Sequence, residues 1–234
     1  MVISEIFCSI QGEGTYVGVP SFFIRTSGCC LRCQFCDTKY SSFGKKIEGK
    51  LLTVENIIDQ LKNTKEWFTV DHVVITGGEP MIQKELIDLV NQLKYYNKIV
   101  TIETNGTIYR PLIKADLFSI SPKTKNSYPK NSTYLKIHKK NNKNLISELK
   151  KFIHKPCIPY QLKFVYNSKD DLKEILKIVN TLHIPKNNVF LMPQGKTKEE
   201  IDSKSLELIE VCKQTGFTLS TRLHITLWGT KRGV

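Results

Sequence analysis

Hydrophobic residues along the chain follow two alternating patterns. Short apolar runs of strand length are followed by segments in which apolar residues recur at i, i+3, i+4 and i+7, as they do on the buried face of a helix. The predicted strands cover residues 22–26, 73–76, 99–103, 117–120, 162–166 and 189–192, with a last strand near 217–225. The predicted helical stripes contain Val54, Ile57, Ile58 and Leu61, then Leu86, Leu89, Val90 and Leu93, then Leu172, Ile175, Leu176 and Val179, and finally Leu208, Ile209 and Cys212. Alternation of strands and helices predicts an α/β protein with a parallel sheet of six or seven strands, fewer than the eight of a closed barrel.

Glycine-rich and polar motifs come directly after three of the predicted strands. They are Thr76-Gly77-Gly78-Glu79-Pro80, Glu103-Thr104-Asn105-Gly106 and Ser121-Pro122-Lys123. Each could be an ordinary turn. In parallel α/β architectures, however, binding chemistry collects at the carboxyl ends of the strands, so the three motifs predict one shared site. Gln161-Leu162-Lys163 opens a further strand, which we expect near the same end of the sheet.

Four of the seven cysteines lie within eight residues of each other. Cys29, Cys33 and Cys36 have the spacing C-x3-C-x2-C, which puts three thiolates on one short loop. Three thiolates can hold three irons of a [4Fe-4S] cluster and leave the fourth iron open to a small ligand. A zinc site would normally close its shell with a nearby fourth Cys or His, and none follows until His72. The alternative register, which starts at Cys30, remains open on spacing alone.

Two further features suggest binding groups near this loop. The N-terminal loop Ile10-Gln11-Gly12-Glu13-Gly14 precedes a strand that carries Arg25, four residues before the first cluster cysteine. A guanidinium suits a planar carboxylate, so Arg25 is a candidate for binding an acidic substrate group. Asp37 and Thr38 follow the last cluster cysteine and offer hard oxygen donors, which suit Mg²⁺ when water and substrate oxygens complete its shell.

Composition narrows the function classes. The chain has 234 residues, enough for one domain spanning residues 1–234, and it carries a formal net charge of +13. Lysine supplies most of this charge, whereas base-reading surfaces depend more on arginine, so no nucleic-acid partner is needed. No apolar run is long enough for a membrane span, and the N-terminus lacks the pattern of a secretory signal. Seven cysteines without an export signal predict a reducing cytoplasm.

The remaining cysteines and the densest lysine cluster carry no motif. Cys8, Cys157 and Cys212 lie far from the cysteine loop and are predicted to be packing residues. Residues 136–155 hold many lysines with only Glu148 opposing them, which predicts a basic loop around a short helix.

The C-x3-C-x2-C motif, with Phe35 before its last cysteine, resembles the radical S-adenosylmethionine (SAM) superfamily. The resemblance implies a partial TIM-like (β/α)6 barrel and a cluster whose open iron is chelated by the amino and carboxylate groups of SAM. It also implies that one electron from the cluster cleaves SAM to a 5′-deoxyadenosyl radical. The Gly77-Gly78-Glu79 segment is similar to the superfamily motif that holds the SAM amino group.

Over essentially its full length the chain resembles the 7-carboxy-7-deazaguanine synthase family of queuosine and 7-deazapurine biosynthesis. The resemblance is carried by residues 10–14, Arg25-Thr26, Gly28-Cys29, Cys36-Asp37-Thr38, Gly77-Gly78-Glu79-Pro80, residues 103–106, Ser121-Pro122-Lys123 and the C-terminal run 223–234. It implies a lyase that converts 6-carboxy-5,6,7,8-tetrahydropterin to 7-carboxy-7-deazaguanine with loss of ammonia. SAM would be regenerated, and Mg²⁺ would orient the substrate.

The same resemblance assigns roles to individual residues. The cluster and SAM would be bound by Cys29, Cys33, Cys36, Gly78, Glu79, Glu103, Asn105, Ser121, Pro122 and Lys123. The pterin would be bound by Ile10, Gln11, Gly12, Glu13, Arg25 and Thr76, with Mg²⁺ on the Thr38 hydroxyl. The family implies a cytoplasmic homodimer, and a flavodoxin-type electron donor is a candidate partner of the basic surface.

Three other functions remain to be weighed. A glycyl-radical activase also uses C-x3-C-x2-C and SAM, but it consumes SAM and acts on a partner protein. A basic iron-sulfur module could bind nucleic acid, and a zinc-stabilised fold could lack catalysis. Cys30 departs from the family pattern, because a thiol is not expected beside the first cluster cysteine.

Overall fold

The computed structural model describes residues 1–44, 46–154 and 158–234. Cys157 and the last lysine of the 136–155 segment therefore lie outside the described residues. The strands are β1 Val2–Ile10, β2 Pro20–Thr26, β3 Lys50–Leu51, β4 His72–Gly77, β5 Ile99–Thr104, β6 Leu117–Ile120, β7 Tyr160–Tyr166, β8 Val189–Pro193 and β9 Thr218–Leu219. The helices are α1 Lys39–Ser42, α2 Val54–Lys62, α3 Leu86–Tyr95, α4 Ser132–Asn142, α5 Leu145–Ile153, α6 Lys169–Leu182, α7 Lys198–Thr215 and α8 Leu223–Trp228.

All nine strands form one sheet in the order β3-β1-β2-β4-β5-β6-β7-β8-β9. From β2 to β9 every neighbouring pair is parallel, whereas β1 pairs antiparallel with both β2 and β3. Six of the parallel strands, β2 and β4 to β8, make up the predicted (β/α)6 partial barrel, and β9 adds a two-residue seventh. The alternation is broken once, since the chain passes from β5 to β6 without a helix.

Helices cover the sheet because their apolar stripes have the predicted period. In α2 the stripe Val54, Ile57, Ile58 and Leu61 is buried, and the Thr53 side chain accepts a hydrogen bond from the Asn56 backbone at the helix start. In α3 the residues Leu86, Leu89, Val90 and Leu93 are fully buried. Cys8 and Cys212 are half-buried and pack against this core.

The basic segment is more ordered than its sequence predicts. Residues 132–153 form two helices, α4 and α5, instead of a loop around one short helix. Asn131 caps α4 by accepting a hydrogen bond from the Tyr134 backbone. In α5, Leu145, Leu149 and Phe152 recur at i, i+4 and i+7 and are buried, so the lysines between them fall on the outer face.

One end of the chain holds a strand that was not predicted, and the strand predicted at the other end is mostly wrong. The N-terminal residues form β1, the longest strand described, whose alternation is weak because most of its side chains are only half-buried. At the other end, the predicted strand near 217–225 contains only the two residues of β9 and is followed by α8. Arg222 lies directly before α8, where its buried guanidinium pairs with Glu13 and Asp37.

No helix among the described residues is both long enough and apolar enough to cross a membrane.

Candidate active site

One cavity of about 840 Å³ lies at the carboxyl ends of the parallel strands, where it is also lined by the N-terminal loop and the C-terminal residues. Its volume is within the range of small-molecule sites. Of the predicted site residues, those that line it are Ile10, Gln11, Gly12, Glu13, Arg25, Cys29, Cys33, Cys36, Thr38, Thr76, Gly78, Glu103, Asn105, Ser121 and Lys123. The two that do not are Glu79 and Pro122.

The cysteine loop presents three of its four thiols to the cavity. Cys29, Cys33 and Cys36 line the cavity, whereas Cys30 does not. The Cys30 sulfur instead lies 3.3 Å from the Thr107 hydroxyl and 3.5 Å from the side-chain nitrogen of Asn105. This placement favours the register that starts at Cys29.

The pKa values of the thiols, in contrast, favour ionisation of Cys30 over that of Cys29 and Cys33. The neighbouring Cys30 thiol and burial raise the pKa of Cys29 well above its usual value, and burial raises the pKa of Cys33 to about 12. The hydrogen bond from Cys29 lowers the pKa of Cys30 to about 6. The raised pKa values do not prevent Cys29 and Cys33 from binding the cluster, because a bound metal ion deprotonates a coordinating thiol outright.

The donor set fits a cluster better than a single metal ion. Within the described ranges, no three His, Cys, Asp or Glu side chains come close enough together to hold one ion. A [4Fe-4S] cluster does not require such convergence, since each cysteine binds a different iron. Three cysteines on one wall of a cavity therefore suit a cluster with one iron open to a ligand in that cavity.

The end of β4 packs against the backbone of the cysteine loop. The Gly78 N–H donates to the Thr26 carbonyl at 3.0 Å, and the Glu79 N–H donates to the Gly28 carbonyl at 2.8 Å. A Cβ on Gly78 would lie 2.1 Å from the Gly28 carbonyl oxygen. The glycine is thus needed for close approach to the loop that carries the cluster cysteines, as well as for any approach of a ligand.

Glu79 lies behind the cavity wall. Its carboxylate is completely buried and accepts hydrogen bonds from the Met81 and Asn105 backbone N–H groups and from the Thr104 hydroxyl. Burial raises its pKa to about 7. The Glu79 carboxylate therefore stabilises the turn after β5. In this turn the Asn105 side-chain amide lies near the Cys29 and Cys30 sulfurs.

A chain of charged side chains also lines the cavity. The Glu13 carboxylate lies 2.6 Å from the Lys163 ammonium and 3.1 Å from the Arg222 guanidinium, and Arg222 also reaches Asp37 at 2.5 Å. Burial alone would raise the pKa of Glu13, but Lys163 and Arg222 outweigh it and lower that pKa well below its usual range. Burial likewise opposes the charge of Lys163, yet Glu103 and Glu13 raise its pKa above the usual value.

Glu103 connects this charged chain to the N-terminal loop and to β4. Its carboxylate accepts hydrogen bonds from the Thr76 hydroxyl at 2.8 Å, from the Lys163 ammonium at 3.3 Å and from the Gln11 amide at 3.4 Å. The side-chain oxygen Oε1 of Gln11 accepts from the Glu13 backbone N–H. The predicted substrate residues Gln11, Glu13 and Thr76 are thus joined in one network.

Arg25 lines the cavity, and its guanidinium is bound by the side chain of Glu5. Its Nε donates to the Glu5 carboxylate at 2.9 Å. Glu5 also accepts from Arg232 of the C-terminal segment at 2.6 Å and from the Tyr40 hydroxyl at 3.2 Å. Glu5 engages Nε, and among the described residues neither terminal nitrogen of Arg25 makes a hydrogen bond.

Thr38 occupies the N-cap position of α1, but its side chain makes no capping hydrogen bond. The hydroxyl lies 3.4 Å from the Ser42 hydroxyl and 3.8 Å from the Cys36 sulfur, at the cavity wall. Asp37, by contrast, is engaged with Arg222, and this ion pair lowers the pKa of the Asp37 carboxyl. Of the two candidate oxygen donors, Thr38 is the freer.

Sequence reasoning missed the importance of Lys163 and Arg222. Lys163 was expected to help open a strand, but it lies inside β7 and reaches the cavity from there. Its position two residues after Gln161 could have indicated an inward-facing polar stripe, since alternate strand residues share a face. Arg222 had no local signal, because its partners lie about 200 residues away in sequence.

Comparison with known proteins agrees with this geometry. The model of the radical SAM superfamily matches residues 23–204. The 7-carboxy-7-deazaguanine synthase of Rhodopirellula baltica is 40% identical over all of this chain and 88% of its own length, and that of Halobacterium salinarum is 34% identical over 97% and 90%. The crystal structure of QueE from Escherichia coli superimposes with a TM-score of 0.67 at 23% identity, covering 95% of this chain and 94% of its own.

The fold and the cysteine loop therefore define a radical SAM enzyme, and the superfamily implies a [4Fe-4S] cluster and SAM as cofactors. Within that superfamily, the extent and identity of the matches show that this chain belongs to the 7-carboxy-7-deazaguanine synthase family. Membership decides against the glycyl-radical activase and the non-catalytic zinc fold.

Proposed function

We propose that this chain converts 6-carboxy-5,6,7,8-tetrahydropterin to 7-carboxy-7-deazaguanine with loss of ammonia. The observation that carries the proposal is that fifteen of the seventeen predicted site residues line one cavity. Three cysteines occupy one wall, and ionised side chains suited to a carboxylated, N–H-rich ring occupy another. The names of the curated relatives support the same reaction.

Cys29, Cys33 and Cys36 hold the [4Fe-4S] cluster, and the backbone at Gly78 with the Ser121-to-Lys123 turn holds SAM. When bound, the cluster and SAM would supply one-electron radical chemistry. The Asn105 amide lies within 3.9 Å of the Cys29 sulfur, where it orders this side of the cavity. Groups with fixed positions suit the task of holding cofactors at a constant distance from the reacting carbon.

The charged side of the cavity binds and orients the pterin. Arg25 pairs with the substrate carboxylate through its free terminal nitrogens, because a planar guanidinium matches a carboxylate in a two-point contact. Glu13 is kept ionised by Lys163 and Arg222 and accepts hydrogen bonds from N–H groups of the ring. The Thr38 hydroxyl would hold Mg²⁺, which would help to orient the oxygens of the substrate.

The same proposal includes partners and location. The enzyme acts as a homodimer in the cytoplasm and receives its electron from a flavodoxin-type protein. A basic protein with a net charge of +13 is suited to an acidic electron donor.

The experiment is an anaerobic reaction of the iron-reconstituted protein with dithionite, SAM, Mg²⁺ and 6-carboxytetrahydropterin, analysed by mass spectrometry. We expect 7-carboxy-7-deazaguanine at many turnovers per SAM. Chelation of Mg²⁺ should lower turnover, and its restoration should recover it. Cleavage of SAM that is independent of the pterin, with no deazaguanine formed, would overturn the substrate assignment and leave the cluster and SAM site in place.

A further inference from the structure

Helix α4 covers the cysteine loop from outside the cavity. The His138 ring nitrogen Nδ1 accepts from the Arg32 backbone N–H at 3.2 Å, and the Asn141 amide donates to the Cys30 carbonyl at 2.6 Å. None of the α4 residues lines the cavity. The helix is therefore the layer of protein between the backbone of the cysteine loop and the solvent on this side.

This layer is unusually basic. From Leu117 to Ser147 the chain contains seven lysines and no Asp or Glu. The exposed lysines on and at the end of α4 form what we call the α4 lysine face, which consists of Lys136, Lys139, Lys140 and Lys143. Among the described residues none of these four makes an ion pair, although several lysines elsewhere do.

Two acidic side chains of the described residues make contacts next to this segment, and neither pairs with the four lysines. Glu174 of α6 accepts from the Lys125 backbone N–H, and Glu148 of α5 pairs with Lys151. The aromatic residues nearby are engaged internally, Tyr134 against Phe43 and Tyr128 against His138. The face thus presents a concentrated positive charge that its own surroundings do not neutralise.

We propose that the α4 lysine face is the docking surface for an acidic protein that delivers the electron to the cluster. This inference rests on the proposed function, because only a cluster that must be reduced needs such a partner. One electron passes from the reduced donor to the oxidised cluster, and the donor leaves one electron more oxidised. Transient redox complexes bury little area, on the order of 1,200 Å² or less, so a single helix face can carry much of the contact.

Two observations favour a protein donor over nucleic acid. The face contains lysine but no arginine, whereas specific base contacts depend mainly on arginine, and it offers no exposed aromatic ring for base stacking. Its location also matters, since a nucleic acid would gain nothing from binding next to the cysteine loop. Opposite charges there would guide an acidic donor toward the cluster by the shortest route.

The test compares two double variants of equal charge change. K136E/K140E reverses two exposed lysines of the α4 lysine face that are four residues apart on one side of the helix. K65E/K114E reverses two exposed lysines near the amino ends of β4 and β6, at the opposite end of the sheet. Calorimetry measures binding of oxidised flavodoxin at low and high salt, and stopped-flow absorbance measures cluster reduction by reduced flavodoxin.

We expect K136E/K140E to weaken binding and slow flavodoxin-driven reduction by about tenfold at low salt, with the difference shrinking as salt is added. K65E/K114E should behave like the wild type, and dithionite should support equal product formation in all three proteins. Equal losses in both variants, or no loss in either, would overturn the proposal. So would loss of affinity for a short RNA duplex in K136E/K140E with unchanged flavodoxin binding. A wild type that makes no product even with dithionite would refute the proposed reaction, while the binding comparison would still decide the docking surface.

Discussion

The two sides of the cavity are built on different principles. The cluster wall, formed by Cys29, Cys33, Cys36, Gly78 and Asn105, is uncharged apart from its thiols and is fixed by short backbone contacts. The charged wall, formed by Glu13, Asp37, Glu103, Lys163 and Arg222, is fixed by ion pairs between side chains.

This difference follows from how far apart the residues lie in sequence. Three of the five residues of the cluster wall come from one loop, so the spacing of a few residues identifies it. The charged wall joins residues from opposite ends of the chain, and Glu13 is 209 residues from Arg222. A fixed cofactor suits a rigid backbone frame, whereas a polar substrate needs charges whose ionisation is maintained by partners.

The largest effect is expected in the cluster wall. Replacing Cys29 by Ala should abolish cluster binding, because its thiol faces the cavity, whereas Cys30→Ala should retain it. Iron and sulfide content per chain after anaerobic reconstitution, together with the cluster absorbance, measures this directly. Cys33→Ala is the positive control for loss. Retained iron in Cys29→Ala, with loss in Cys30→Ala, would reverse the register.

In the charged wall the largest effect is expected at Lys163. Lys163→Met removes the cation between Glu13 and Glu103, and losing one partner of a buried pair costs about 3–5 kcal/mol. In a chain of this size that corresponds to a lowering of Tm on the order of 10 °C. Lys163→Arg keeps the charge and should restore much of the Tm. Calorimetric scans of the iron-loaded proteins at one fixed scan rate make the comparison.

Loss of the Lys163 charge should also weaken binding of the substrate. The KM for the pterin should rise in Lys163→Met while iron content stays at the wild-type value. If Lys163→Met lowers the iron content as well as the Tm, the two walls do not form independently of each other.

The contrast between the walls also explains which parts of the structure can be predicted from the sequence and which cannot. The β4, β6 and β8 strands and the α2 and α3 stripes were predictable because each is a local pattern of apolar residues. Arg222 was not, because its position depends on partners that only the folded chain brings near. The strand expected at 217–225 is limited to the two residues of β9, and α8 begins at Leu223.

A smaller effect tests whether backbone contact is what fixes the cluster wall. In Gly78→Ala the added Cβ would lie 2.1 Å from the Gly28 carbonyl oxygen, so the β4 turn and the cysteine loop must separate. Such overpacking costs about 1–3 kcal/mol, and we expect incomplete iron loading as well. Gly18→Ala is the control, since no heavy atom lies within 4 Å of its Cβ and only its positive φ of 85° opposes the change. Full iron loading in both variants would mean that the close approach is not what positions the cysteines.

The smallest expected effect concerns how stability depends on pH. A buried ring held by hydroxyl groups should respond to pH differently from the charged wall. His72 lies at the amino end of β4, with its ring nitrogens 2.7 Å from the Ser21 hydroxyl and 2.8 Å from the Thr101 hydroxyl. Burial lowers its pKa to about 4, so the folded protein keeps the ring neutral while the unfolded chain protonates it below about 6.5. Stability is therefore fully present above pH 6.5 and is lost as pH falls toward 4, by about 2 kcal/mol between pH 7 and 5.

Replacing His72 by Gln should remove that part of the pH dependence, because an amide can bond to both hydroxyls without titrating. The Tm of the iron-loaded wild type should fall by several degrees more than that of the variant between pH 7 and pH 5. The charged wall should contribute little over this interval. The pKa of Glu13 is depressed, so its stabilisation is lost only at more acidic pH, below the ordinary carboxyl range. Equal slopes for the two proteins would show that His72 is already protonated in the folded state and that its hydroxyl partners do not keep it neutral.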